Sequence, residues 1–357
     1  MHGDEVPLHF YADLFLKHPE TRNMFPVSME AQRGHLVNAL VQIVANVDRL
    51  DELTAFLRDL GRDHRKFGAL AGHYGAVGAS LLATFQHFSG DAWTPELAAD
   101  WTSAYELVAS VMIDAAREDE KRSPAYWTGT IVSVERKAFD VTVLTVQTEP
   151  RLEYLPGQSV AVQSAHRPGL WRYYSIANAP RLDGLLDFHV KLIDGGAVSM
   201  ALTAGSALGE RVRLGPPVGA LRLDTSSRRD VLLVAGSTGL APLKAILEQI
   251  ACLHLPPQVH LFFGAREADG LYDLPALDKM AAQHPWLTVI PAVSADRFYG
   301  GETGTLADVV MRSGAWTGHD VYIAGPSEMV HETAARLAGA GTPPDQIHLE
   351  DFGWRDR

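Results

Sequence analysis

Gly236-Ser237-Thr238-Gly239-Leu240-Ala241-Pro242 joins an apolar run, residues 231–235, to a helical one, residues 242–252. The pattern then repeats. Apolar strand-like runs at 259–263, 287–292 and 321–324 alternate with helical stretches at 275–283, 305–312 and 327–338. Strands that alternate with helices in this way build a doubly wound parallel α/β sheet, and the turn leaving its first strand lies where such sheets bind dinucleotides. The G-x-G-x-x-G spacing is absent, so the turn alone is a weak signal. Gly325-Pro326-Ser327-Glu328-Met329, which follows the run at 321–324, supports it as a place for the nicotinamide end.

Upstream, the texture is different. Residues 130–134 and 141–146 are β-branched with period two, and short strands are expected at 159–163, 173–176, 187–193 and 211–214. Turns containing Gly and Pro separate them, which predicts a small antiparallel β-barrel ending near Arg222. Within it stands Arg172-Tyr173-Tyr174-Ser175. A flavin dinucleotide presents a flat apolar ring and a doubly charged pyrophosphate, and these four residues offer Arg172 for the phosphate, Tyr174 for the ring and Ser175 for flavin N5. A barrel strand with an exposed arginine and two packed tyrosines reads the same way. Gly195-Gly196-Ala197-Val198-Ser199 tilts the choice, because two glycines before a helix let backbone N–H groups approach a pyrophosphate. The aromatic in Glu350-Asp351-Phe352 is a candidate to return over the flavin ring.

Before Tyr126 the chain is helical, with helices expected at 7–17, 31–47, 53–67, 73–88 and 95–119. Leu53, Leu57, Leu60, His64 and Phe67 recur at helical spacing, which puts His64 on an apolar stripe. A core histidine bonded to a backbone carbonyl is the ordinary occupant of such a position. A haem ligand is the other.

Composition narrows the function. The 357 residues suit two or three domains, and 46% hydrophobic with 21% charged residues is the balance of a globular protein. A net charge of −12 argues against nucleic-acid partners and anionic membrane surfaces. No apolar run reaches the roughly 20 residues of a membrane span, and a cytoplasmic location is expected. Cys252 is the only cysteine, which excludes an internal disulfide and a thiolate-held iron–sulfur cluster. Electrons leaving a flavin here have no ferredoxin module to enter, so no separate redox protein is expected.

The motifs R-Y-Y-S, G-G-x-V-S, G-x-T-G-x-A-P, A-G-P-x-x-M and E-D-F, in that order between Tyr126 and Trp354, resemble the ferredoxin–NADP reductase superfamily. Ala324 departs from it, since many relatives carry cysteine there. The earlier residues Phe10-Tyr11, Pro19-Glu20, Met24-Phe25-Pro26, Gln32, Leu36, His64, Tyr74 and Trp101 with Tyr105 resemble the globin domain of the flavohaemoglobins. The whole chain then resembles that family, a globin fused to its reductase.

The resemblance implies an all-α globin-like domain at 1–122, an antiparallel β-barrel FAD domain at 123–226 and a parallel-sheet NAD domain at 227–357. It implies haem b on His64, packed by Phe25, with Tyr11 and Gln32 facing oxygen, Leu36 narrowing the pocket and Tyr74 orienting the imidazole. FAD falls to Arg172, Tyr173, Tyr174, Ser175, Gly195, Gly196, Val198, Ser199 and Phe352. NADH or NADPH falls to Gly236, Thr238, Gly239, Pro242, Gly325 and Pro326. The implied activity is nitric oxide dioxygenation, with O2 and NO as substrates. A haem-poor flavin, ferric or quinone reductase and an oxygen sensor or carrier stay open beside it.

Two departures bear on the haem. The match starts at the second globin helix, which leads us to expect exposed apolar surface and weaker haem retention. The glutamate usual beside the proximal histidine falls at Ala116. Glu118 lies about 200° further round that helix and does not substitute.

Overall fold

The computed structural model describes residues 4–350. Phe352 lies outside them. The contacts divide the chain into two compact units, the first built mainly from residues up to Trp127 and the second mainly from Thr128 onward.

The first unit is helical: α1 (Glu5–Lys17), α2 (Glu30–Ala45), α3 (Leu50–His64), α4 (Ala71–Ser89) and α5 (Pro95–Glu120). Local chemistry sets these ends. α5 starts where the Thr94 hydroxyl accepts from the Leu97 amide at 3.2 Å, with Pro95 at the first helical position. α3 carries Asp51 and Glu52 in its first turn and Arg62 and His64 in its last, matching the helix dipole. It tightens into one 3-10 turn, Arg65–Phe67, and stops at Gly68 with φ 78°. Phe10, Tyr11, Leu14 and Leu81 form one apolar cluster, and Leu53, Leu57 and Met112 form another. Two glycines permit the close helix contacts. A Cβ on Gly61 would stand 2.3 Å from the Met112 carbonyl oxygen on α5, and one on Gly78 would stand 2.3 Å from the Tyr105 ring. Leu16, Val41, Val44 and Leu107 are exposed on these helices.

The second unit contains two six-stranded sheets. The first comprises β1 (Trp127–Arg136), β2 (Val141–Glu149), β3 (Ser159–Ser164), β4 (Arg172–Ser175), β5 (Leu185–Lys191) and β6 (Arg211–Leu214), with α6 (Ala197–Thr203) between the last two. Its order is β4-β3-β6-β1-β2-β5, and the antiparallel Ile176↔Phe188 bridge draws the two edge strands together so that the barrel nearly closes. The expected antiparallel barrel is present.

The second sheet is parallel: β7 (Asp230–Gly236), β8 (Val259–Ala265), β9 (Leu287–Val293), β10 (Glu302–Thr303), β11 (His319–Ala324) and β12 (Ile347–Leu349). Helices α7 (Leu240–Ala251), α8 (Leu274–Gln283), α9 (Leu306–Ser313) and α10 (Ser327–Gly339) connect these strands. The order β10-β9-β8-β7-β11-β12 reverses direction between β7 and β11, which is the switch point where open α/β sheets bind ligands. β10 and β12 were not expected from the sequence. No helix among the described residues is long and apolar enough to cross a membrane.

Candidate functional site

In the helical unit, the His64 Nδ1 lies 2.7 Å from the Leu60 carbonyl oxygen, one helical turn back. A carbonyl only accepts, so Nδ1 carries the hydrogen and the lone pair falls on Nε2. Burial pushes the imidazole below its usual range, with Leu60 and Asp63 acting the other way. The ring is therefore a neutral, oriented base. Tyr74 and Leu60 both pack against the α3–α5 cluster. The hydrogen bond from the His64 ring runs to the Leu60 carbonyl, and an orienting role for Tyr74 stays a proposal.

Tyr11, Gln32, Phe25 and Leu36 come together on α1, α2 and the segment between them. The Gln32 Nε2 donates to the Tyr11 hydroxyl at 3.2 Å, and that hydroxyl lies 3.4 Å from the Gln32 backbone carbonyl. Phe25 meets the Tyr11 ring edge-on at 5.4 Å, and Leu36 packs against the same cluster. Burial pushes the Tyr11 phenol up to about 12, with Gln32 opposing the shift, so the hydroxyl keeps its proton. Tyr105 donates its hydroxyl to the Tyr74 backbone carbonyl at 2.5 Å, fixing the start of α4 against α5. Glu118 is taken up in an ion pair with Arg58 on α3. Ala116 is partly buried and carries no polar group.

In the barrel, Arg172 is exposed, Tyr173 and Tyr174 are half-buried and Ser175 is buried. The Ser175 hydroxyl donates to the Glu350 carboxylate, a partner the sequence reading passed over in favour of Phe352. The turn before α6 gives its two glycines different reasons. Gly195 has φ 73° and faces open space, whereas a Cβ on Gly196 would lie 2.5 Å from the Ser199 Oγ. Ser199 receives the Ile193 amide at 3.2 Å and donates to the Gly196 carbonyl at 3.0 Å, and Val198 is buried beside it. Gly195 is thus the open position, and Gly196 is needed for internal packing.

The two glycine turns of the parallel sheet lock into each other. A Cβ on Gly239 would stand 2.3 Å from the Ala324 carbonyl oxygen, and one on Gly236 would stand 2.6 Å from the Met329 Cε and 3.0 Å from Pro326. A Cβ on Gly325, at φ 146°, would meet the Gly236 carbonyl at 2.8 Å. Thr238 is half-buried and Pro242 is buried at the start of α7. Ser237 holds φ 53°, a left-handed conformation that costs a non-glycine residue about 1 to 3 kcal/mol and is found preferentially at working sites. Its hydroxyl receives Lys191 Nζ from β5 at 3.1 Å. Neither residue was singled out from the sequence beyond the turn itself.

Comparison with known proteins agrees with this division. Residues 8–112 match the globin family model, 128–223 the oxidoreductase FAD-binding domain and 233–335 the oxidoreductase NAD-binding domain. A flavohemoprotein from Rhizobium meliloti is 30% identical, over 99% of this chain and 94% of the relative. The chain belongs to the flavohemoproteins. A second member, from Bacillus subtilis, is 26% identical over 99% of this chain and 93% of its own length. A flavohaemoglobin from Malassezia yamatoensis, solved with bound FAD and haem, shares the fold at a TM-score of 0.80 over 99% of this chain and 95% of its own, with 18% identity.

The resemblance read from the sequence is therefore correct, as is the fold class of helical globin, antiparallel flavin sheet and parallel nicotinamide sheet. Haem, FAD and a nicotinamide dinucleotide form the cofactor set of this flavohemoprotein, and its activity is that of an oxidoreductase.

Proposed function

We propose that this flavohemoprotein is a nitric oxide dioxygenase, which converts NO and O2 to nitrate at the expense of NADH or NADPH. One electron is consumed per nitrate formed, so one nicotinamide serves two turnovers. The observation that carries the reading is the Tyr11–Gln32 hydrogen bond inside an apolar cluster, in a chain that also holds its own reductase. When bound, haem supplies the iron at which O2 meets NO, and FAD converts the two-electron donor into single electrons.

The residues fit those groups. His64 offers Nε2 as the ligand atom because Leu60 holds the opposite nitrogen. Tyr11 keeps its proton throughout the physiological range, accepts from the Gln32 Nε2, and would turn its single hydrogen from the long 3.4 Å contact with the Gln32 carbonyl to the bound gas. Leu36 and Phe25 exclude water there. With Ala116 in place of a carboxylate, the imidazole is less electron-donating, and peroxidase-like O–O cleavage is weak.

On the reductase side, Arg172 and the open Gly195 turn receive the pyrophosphate, and the half-buried Tyr174 covers the flavin ring. Val198 and Ser199 hold the turn. The Ser175 hydroxyl would meet flavin N5 through its oxygen while its hydrogen is donated to the Glu350 carboxylate. Gly236, Thr238, Gly239, Pro242, Gly325 and Pro326 receive the nicotinamide, and the proposed division at 1–122, 123–226 and 227–357 follows these three binding tasks.

The test is NADH consumption and nitrate formation by the purified, haem-loaded protein before and after adding NO. Stoichiometric nitrate at two per NADH is the expected result. NADH consumption indifferent to NO, at the rate of flavin autoxidation, overturns it.

A further inference from the structure

Asp187, His189 and Lys191 alternate along β5 with Phe188 and Val190, which are buried in the barrel. On the opposite, polar face His189 is buried and Asp187 and Lys191 are partly exposed. His189 and Lys191 reach the nicotinamide lobe directly, and Asp187 does so through Arg181. Asp187 pairs with Arg181 at 2.7 Å, and Arg181 lies 3.6 Å from Glu248 on α7. The His189 Nδ1 shares a hydrogen bond of 2.8 Å with the Tyr272 hydroxyl, just before α8. Lys191 reaches Ser237 in the β7–α7 turn.

The other edge of β5 is tied to β4, through the Ile176↔Phe188 bridge and the Ala177 amide donating to the Asp187 carbonyl at 2.8 Å. Ser175 is the residue before that bridge. One strand therefore connects the flavin-edge serine to the nicotinamide turn.

Of the three contacts, only one is dry. His189 and Tyr272 are 5% and 7% exposed, whereas the Arg181–Asp187 pair and the Lys191 side chain that reaches Ser237 are partly open to solvent. Exposed ion pairs contribute little and tolerate loose geometry, while a buried neutral hydrogen bond is directional and costs about 1 to 3 kcal/mol to leave unmade. The imidazole is held neutral by burial and by the Lys244 and Lys137 ammonium groups, both of which lie near Asp273. The Tyr272 ring is fixed independently by an edge-to-face contact with Phe263 on β8, at 5.7 Å. An apolar pair would fill this space with less desolvation cost, so the polar pair contributes specificity of alignment.

We propose that His189 and Tyr272 are positioning residues for hydride transfer, whose buried hydrogen bond sets the approach of the nicotinamide turn to the flavin edge at Ser175. The proposal rests on the assignment of Ser175 to the flavin edge and of the Gly236–Gly239 turn to the nicotinamide, and not on NO chemistry. Neither residue belongs to the turns and side chains assigned to FAD or the nicotinamide. A misplacement of about 1 Å costs a transfer step up to roughly a hundredfold, so the effect should appear in the chemical step and not in binding.

The experiment is anaerobic stopped-flow reduction of the FAD-loaded full-length protein by NADH, in Tyr272→Phe and His189→Asn. Phe keeps the ring and its contact with Phe263, and Asn keeps a polar atom near the Nδ1 position. Expected for Tyr272→Phe is a limiting rate of flavin reduction about tenfold lower with an NADH dissociation constant within about twofold. The long-wavelength charge-transfer absorbance between reduced flavin and NAD+ should fall in parallel. His189→Asn should retain most of the rate and the band.

Unchanged rate and band in Tyr272→Phe overturn the proposal. So does weaker NADH binding with a normal limiting rate. Failure of both variants to accumulate as folded, FAD-containing protein also overturns it, in favour of a purely structural role. A wild-type flavin that NADH does not reduce defeats the underlying site assignment instead, and an absent NO effect leaves this experiment untouched.

Discussion

His64 illustrates how one contact serves two readings of a residue. A core histidine satisfied by a backbone carbonyl and a metal ligand oriented by one make the same bond, here to Leu60 at 2.7 Å. That bond fixes the tautomer a ligand needs. Replacing His64 with Ala is expected to abolish haem retention, seen as loss of the Soret band, while flavin absorbance and NADH-dependent ferricyanide reduction persist. A second residue-scale prediction concerns Gly239, whose φ of −60° suits any residue. Only space forbids a side chain there, because the added Cβ would lie 2.3 Å from the Ala324 carbonyl oxygen. Gly239→Ala should therefore separate the two turns at the switch point, destabilise the second unit by about 1 to 3 kcal/mol and slow flavin reduction by NADH. Urea denaturation and stopped-flow reduction measure the two effects. The sequence marked Gly236, Gly239 and Gly325, but the usual reason for glycine in such turns is ligand approach. Here the demand comes from the protein itself, from backbone at Gly239 and from the Met329 and Pro326 side chains at Gly236, which spacing alone does not reveal.

Helices and strands were legible where their periodicity was long. The helix expected at 95–119 is α5, Pro95–Glu120, and the strand expected at 211–214 is β6. β10 and β12 have two and three residues, too few to express an alternation. β5 was legible as a strand, expected at 187–193 and found at Leu185–Lys191. The burial of His189 was not legible, because its partner Tyr272 comes from a distant part of the chain. The helical unit has a similar hidden feature in Gly61, which helix propensity would disfavour. Its lack of a side chain lets α3 pass against the Met112 backbone of α5. Gly61→Ala should gain helix propensity worth up to about 1 kcal/mol and lose more through overpacking, a net loss of roughly 1 to 2 kcal/mol. Because His64 follows three residues later on the same helix, the rate of haem transfer to apomyoglobin should rise. Unchanged haem transfer would mean that α5, not α3, absorbs the displacement.

At the scale of the molecule, buried titratable groups limit the second unit from both sides of neutrality. Burial and the Lys244 and Lys137 charges hold the His189 pKa well below 6.5, and burial with the His319 charge lowers that of His260. Unfolding lets both rings take protons near pH 6.5, so the unfolded chain binds more protons than the native one below that value. Stability is then full above pH 6.5 and falls as the medium is acidified toward the folded pKa values. Tyr322 acts in the opposite sense. Burial raises its phenol from 10.0 to about 12, so the native state keeps a proton that the unfolded chain loses. Its contribution is complete below pH 10 and disappears as the pH rises to about 12, a loss on the order of 2 kcal/mol. The urea midpoint of the FAD-loaded protein, followed by flavin release, should therefore form a plateau between about pH 6.5 and 10 with a decline on each side. The acid arm belongs largely to His189, because it is the more deeply buried of the two rings. Tyr272→Phe removes the neutral partner without removing the imidazole, and should leave that arm in place while lowering the plateau. A midpoint that keeps rising as the pH falls from 6.5 to 5 would show that the native imidazoles accept protons there, and would contradict the burial seen for His189.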